Sequence, residues 1–272
     1  MTNPQVKYGI IGAMDVEVAL LKEAMGAPAG GCGATVGDAL GAAADHDPRA
    51  VGQGPLPGDG AAPAPGPRII RVAGMDFCEG AISGVPCVVV RCGVGMVNAA
   101  ACAQALIDRF AVNAVVNTGV GGSLDATIDI GDVVVATDAV NWPMDVANLG
   151  YAAGQTPGMD VLAFPADASL RAAAVTAARA EGVAAHEGRV ASGDRFVRDA
   201  AEKERIATAF GARCCEMEGA AIAQVCHLNA VPCAIVRAIS DKADGSDAVD
   251  YPVFEAAAAR HCAALVRRMI AG

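Results

Sequence analysis

Ala114-Val115-Val116-Asn117-Thr118-Gly119-Val120-Gly121-Gly122 opens as a short apolar run and closes on glycines. A run of this length bounded by glycine reads as a buried strand that ends in a tight, backbone-exposing turn. Before it, Val97 to Phe110 has helical spacing; after it, Gly131 introduces a further strand over Asp132 to Thr137. The alternation continues in both directions. Lys7 to Ile11 is a strand, followed by a helix over Asp15 to Met25 with apolar Val16, Leu20, Leu21 and Met25. Ile69 to Ala73, Met75 to Ile82 and Pro86 to Arg91 read as a meander, with Ser83-Gly84 as the tight turn between the last two. Downstream, Ser169 to Glu181 is an Ala-rich helix closed by Gly182, and Gly188 to Ala191 and Pro232 to Val236 are strands around a helix over Glu216 to Asn229. Pro252 starts a C-terminal helix. Such alternation predicts a layered α/β domain with its ligands at the C-terminal ends of the strands.

The chain has 272 residues, enough to bury a large core as one domain without disulfides. From Gly26 to Pro67 the pattern gives way to Gly, Ala and Pro with hardly any bulky aliphatic residue, so this stretch cannot pack a core of its own. We therefore expect a single domain over residues 1–272 with a flexible insertion at about 26–67. The formal charge of −10 disfavours nucleic acid as a partner. The longest uncharged run in the second half, Gly219 to Val236, is broken by Gln224, His227, Asn229 and Pro232, which argues against a membrane span. Asp15 and Glu17 follow Lys7 too soon for a secretory segment, and the 10 cysteines form no C-x-x-C pair. A cytoplasmic protein with reduced, mostly buried thiols is the expectation.

Polar residues gather at four strand ends: Gly12-Ala13-Met14-Asp15-Val16-Glu17, Cys92-Gly93-Val94-Gly95, Cys215-Glu216-Met217-Glu218-Gly219 and Arg237-Ala238-Ile239-Ser240-Asp241. Gly93-Val94-Gly95-Met96-Val97-Asn98 has two glycines of a dinucleotide loop and lacks the third, so a structural turn is the better reading there.

Taken together with Gly9-Ile10-Ile11-Gly12-Ala13-Met14, Asn117-Thr118-Gly119, Gly150-Tyr151 and Ser192-Gly193-Asp194, all in register, these segments make the chain resemble the bacterial 5′-methylthioadenosine/S-adenosylhomocysteine nucleosidases. The resemblance covers nearly everything except Gly26 to Pro67. It implies the three-layer α/β/α phosphorylase-type fold with a central mixed, twisted sheet, a homodimer, no metal or organic cofactor, and hydrolysis of the bond between adenine and ribose.

Carried over residue by residue, the resemblance makes Asp241 the acid that protonates the purine, with Ser240 holding its loop. A positioned general acid contributes about 10²–10⁴-fold. As an alternative, an Asp after a strand is commonly a helix cap. Glu218 matches the carboxylate that grips both ribose hydroxyls, with Met217 against the sugar and Glu216 nearby; the positive end of the following helix accounts equally well for one of these two acids. Glu17 matches the group that activates the attacking water, beside Arg237, its alternative being a solvated first-turn residue. Phe196 and Val197 match the purine-binding segment, and Tyr251 and Phe254 the 5′-thio side, which Val146 and Leu149 of the partner subunit complete. Cys92 and Gly93 border the ribose. In two places the chain departs from the family: Cys92 stands where Ser is usual, and Trp142-Pro143-Met144-Asp145 replaces His-Asp-Ala-Asp. The 5′ substituent stays open, with 5′-deoxyadenosine and aminofutalosine beside the thio-nucleosides. Alternatives are a purine nucleoside phosphorylase and a catalytically weak nucleoside-binding module.

Overall fold

The computed structural model describes residues 6–26, 66–243 and 251–272, with 251–256 as backbone only. Most of the expected insertion at about 26–67 and the side chains of Tyr251 and Phe254 lie outside the described residues.

Strand β5 (Ala114–Ser123) is buried along all 10 of its residues, as a strand covered on both faces must be. It pairs in parallel with β1 (Tyr8–Gly12) on one side and with β10 (Cys233–Asp241) on the other. Outward from β1 the sheet continues through β4 (Val85–Arg91), β3 (Met75–Ile82) and β2 (Arg68–Val72). These last three form the expected antiparallel meander. At its turn Ser83 and Gly84 both take positive φ, 52° and 80°, as a two-residue hairpin requires.

On the other side the sheet closes. β10 runs antiparallel to β6 (Val133–Asn141), β6 parallel to β8 (Ala185–Ser192), and β8 parallel to β9 (Ala212–Glu216). β9 then returns antiparallel to the end of β5, where Gly122 faces Cys215. A short strand, β7 (Phe164–Pro165), pairs with β6. Gly121 permits this closure, because a Cβ there would lie 2.6 Å from Cys214 Sγ.

Helices cover both faces. One apolar cluster joins the sheet to α2 (Met96–Phe110) and α5 (Gly219–Leu228) through Leu106, Phe110, Ile222 and Cys226. A second joins it to α1 (Asp15–Ala24), α3 (Ala168–Ala180) and α6 (Tyr251–Ala271) through Leu21, Ala177, Leu265 and Val266. A third, with Ile206, Phe210 and Val197, seats α4 (Ala200–Phe210). The architecture is the expected three-layer α/β/α with a mixed sheet. No helix among the described residues is long and apolar enough to cross a membrane, and every described cysteine is free and buried.

Two expectations are corrected, and three elements are added. The helix placed at Glu216 to Asn229 begins only at Gly219, because Glu216 ends β9 and turns its carboxylate onto the first amides of α5. β10 runs past Val236 to Asp241, carrying the polar segment Arg237 to Asp241 inside the sheet. Helix α4 and strands β7 and β9 went unread: the two strands are short, and Lys203 interrupts the apolar side of α4 while being only 2% exposed.

Candidate active site

The glycines of β5 decide where the acidic groups meet. Glu17 sits in the first turn of α1, where its Oε2 accepts from the N–H groups of Ala13 (2.6 Å) and Met14 (2.9 Å). Its Oε1 accepts from Val120 N–H at 3.0 Å, so the side chain spans from the helix to the middle strand. It is 1% exposed. Burial raises its pKa above the usual carboxylate value, and the Arg237 charge and the three amides oppose that rise. A Cβ on Gly119 would come within 3.0 Å of both Glu17 Oε1 and Arg237 Nη1. Gly119→Ala is therefore expected to destabilise the protein by about 1–3 kcal/mol. Urea denaturation checks this, and an unchanged midpoint would show that the two side chains do not depend on that gap.

Arg237, from β10, is 1% exposed and donates through Nη2 to Asn117 Oδ1 and to Glu216 Oε2; Glu218 Oε2 lies 3.7 Å away. Two carboxylates thus share one guanidinium, and Glu17 lies within reach of its charge. Glu216 has no capacity left for a ligand: it accepts from Ser192 Oγ, from Glu218 N–H (2.9 Å) and from Gly219 N–H (2.8 Å) as well as from Arg237. Of the two acids that could neutralise the positive end of α5, it is Glu216 that does so. The expectation that Glu216 binds near the ribose is corrected to one of holding Arg237 and the helix. Glu218 instead accepts from Gly95 N–H at 2.9 Å. Burial, reinforced by the Glu216 charge, raises its pKa to about 7.

The glycine loop before α2 is occupied by the chain's own acids. Beside the Gly95 amide, Met96 N–H donates to Asp194 Oδ1 at 2.7 Å. Carboxylates therefore sit where a dinucleotide phosphate would need those amides. Cys92 is buried next to them and donates to Gly93 O at 3.0 Å; burial and the charges of Glu218 and Glu17 push its thiol up to about 12, so it stays protonated.

Asp241 closes the other end of the same glycine run, its carboxylate packing against Gly122, where a Cβ would be 2.8 Å from Oδ2. Ser240 Oγ donates to Asp241 Oδ1 at 3.1 Å, and Lys203 Nζ to Asp241 Oδ2 at 2.6 Å. Asp241, Glu216, Met217, Phe196 and Val197 line one narrow cleft with Arg195. Phe196 is 54% exposed at its edge, while Val197 is anchored in the third apolar cluster.

Among the expected residues, the structure thus joins Glu17, Arg237, Glu216 and Glu218 in one network, with Cys92 and Gly93 beside it. Asp241 and Ser240 sit across the glycine run with the purine segment. Val146 and Leu149 do not line the cleft of their own chain, and Leu149 is 66% exposed. Asn117, Asp194, Ser192 and Lys203 were missed as contributors. Lys203 had a signal: with Ile206 and Phe210 it falls on the buried side of α4, three and seven residues apart.

The sequence profile of the phosphorylase superfamily matches residues 58–271. The chain belongs to the phosphorylase superfamily. Within that superfamily, the 5′-methylthioadenosine/S-adenosylhomocysteine nucleosidase of Geobacillus kaustophilus is 35% identical over 266 residues, 97% of each chain. That of Anoxybacillus flavithermus is 38% identical over 200 residues, 73% of this chain and 86% of its own. The Neisseria meningitidis nucleosidase crystallised with methylthio-immucillin-A superposes with a TM-score of 0.79 at 31% identity, covering 97% of this chain and 98% of that one. A Helicobacter pylori futalosine hydrolase has the same TM-score at 27% identity, with 97% of each chain covered.

Proposed function

We propose that the protein hydrolyses the N-glycosidic bond of 5′-methylthioadenosine and S-adenosylhomocysteine, releasing adenine and a 5-thioribose. The observation that carries this reading is the acidic lining: Glu17 meets Arg237 over Gly119 on one side of the strand end, with Glu218 3.7 Å from the same guanidinium, and Asp241 stands over Gly122 on the other. Asp241 donates a proton to the purine, so that adenine leaves neutral. Glu17, whose raised pKa brings it closer to neutrality, takes a proton from water as the oxygen bonds to the anomeric carbon. Glu218 accepts from the two ribose hydroxyls, and its charge favours the oxocarbenium character of the transition state over the ground state. Arg237 keeps the acids together, Ser240 steadies Asp241, and Met217, Phe196 and Val197 pack on sugar and base.

Phosphorolysis is disfavoured by the same lining. A phosphate brought near these carboxylates meets a repulsion of about 4 kcal/mol per pair at 4 Å and an effective dielectric of 20. Names of relatives support the nucleoside class, with the futalosine hydrolase keeping aminofutalosine among the substrates to test. We further infer one domain throughout, a cytoplasmic site of action consistent with the free thiols, and a homodimer in which Val146 and Leu149 reach the partner's 5′ pocket beside Tyr251 and Phe254.

The test is adenine release from 5′-methylthioadenosine, 5′-deoxyadenosine and aminofutalosine in phosphate-free buffer, repeated with phosphate and across a protein dilution series. Free 5-thioribose in both buffers is expected. A ribose 1-phosphate product would overturn hydrolysis, and specific activity unchanged down to monomer concentrations would overturn the shared pocket.

A further inference from the structure

Lys203 is the buried charge that the proposed mechanism leaves unused. It stands on α4 at the fourth helical position, 2% exposed, with its aliphatic stem beside Ile206 and its ammonium aimed at the end of β10. There it donates to Asp241 Oδ2 at 2.6 Å and to the main-chain carbonyl of Lys242. Burying a lysine head is expensive unless its donors are satisfied, so its partners fix where it sits. Other charged or titratable groups around Asp241 do not compete for it. Lys242, next in the chain, sends its ammonium to Asp129 at 2.8 Å, and Cys214 and Cys215 from β9 are thiols held protonated by burial. Arg195 pairs with Glu202 at 2.9 Å, and Glu216 is saturated by Arg237, Ser192 and the α5 amides.

Resting on the nucleosidase reading, we propose that Lys203 is a positioning residue for the general acid: it acts through Asp241 and touches neither base nor sugar. When the Asp241 carboxyl gives its proton to the purine, the O–H bond breaks, the N–H bond forms, and a carboxylate remains. Lys203 is in place to pair with that carboxylate as its charge develops, which stabilises the transition state for glycosidic cleavage more than the bound substrate. Its second bond, to the Lys242 carbonyl, fixes the backbone beyond Asp241. Ser240 holds the other carboxyl oxygen, so both oxygens of Asp241 are oriented.

The test compares steady-state kinetics of adenine release for the wild type, Lys203→Met, Asp241→Asn and the double variant, with Lys203→Arg as the conservative replacement. Lys203→Met is expected to lower kcat by about 10- to 100-fold, the range carried by a hydrogen bond to a charged group, with KM within about threefold. Lys203→Arg should restore most of the loss. In the Asp241→Asn background the methionine substitution should cost no more than about twofold, because a residue that works only through Asp241 has nothing left to act on. If the methionine variant does not fold, Lys203→Gln, which is one bond shorter and keeps a donor without the charge, decides on the same criteria. An active wild type with an unchanged Lys203 variant, a loss confined to KM, or losses that multiply in the double variant would overturn the inference. A wild type that releases no adenine overturns the nucleosidase reading, and this inference with it.

Discussion

Asp241→Asn is expected to cut kcat for adenine release by about 10²–10⁴-fold while leaving KM nearly unchanged. The asymmetry follows from the groups around the carboxylate. Asn keeps the shape of Asp, and its amide oxygen can still accept from Lys203 or from Ser240, which now hold the carboxylate at 2.6 Å and 3.1 Å. The one thing it cannot supply is a transferable proton. Departing adenine would then carry negative charge, and the barrier rises by the whole contribution of the acid. A substrate whose leaving group needs no proton separates this from general damage: 4-nitrophenyl 5-methylthioriboside, which releases 4-nitrophenolate, should be cleaved by the variant within a few-fold of the wild-type rate. Equal losses on both substrates would place Asp241 outside proton transfer, and a full kcat on 5′-methylthioadenosine would remove it from the mechanism.

What the sequence made legible follows from how each residue is placed. The strand Ala114 to Asn117 and its glycine tail were readable because a short apolar run ending in glycine has few other uses. The closure of the sheet through β9 was not, because its link to β5 rests on two residue pairs, Gly122 with Cys215 and Ser123 with Cys214. That Glu216 and Glu218 divide into a helix-holding acid and an open one was foreseen. Which acid takes which place follows from the fold, because the acid at the strand end can turn back onto the amides of Glu218 and Gly219. For Glu17 the choice between a solvated turn residue and a buried one was also decidable in principle: it lies one turn before Leu21, which is fully buried, and next to Val18. Lys203 repeats that pattern on α4. In both helices a charged residue occupies the stripe that faces the core, and a charge retained there needs partners from elsewhere in the chain. Periodicity reveals the oddity; only the fold names the partners.

Arg237→Met is expected to destabilise the protein by about 3–5 kcal/mol at neutral pH and to abolish detectable activity, because it leaves buried carboxylates without their cation. The penalty should depend on pH in a definite direction. Glu218 titrates in the folded protein at about 7 against an ordinary value of 4.5, and Glu17 is also shifted upward. Between those values the folded state holds protons that the unfolded state has released, so stability is fully present below about 4.5 and declines as pH rises through about 7. Arg237 opposes both upward shifts, and its removal steepens the decline. Urea denaturation at pH 5 and pH 8 should therefore find the variant closer to the wild type in acid, where protonated Glu17 and Glu218 no longer need a counter-charge. A loss equal at both pH values, or greater in acid, would mean that Arg237 holds the site by packing and by its bond to Asn117. Arg237→Lys should fall between the two, since the shorter lysine keeps the charge but does not carry its ammonium to the place from which Nη2 donates to both Asn117 and Glu216.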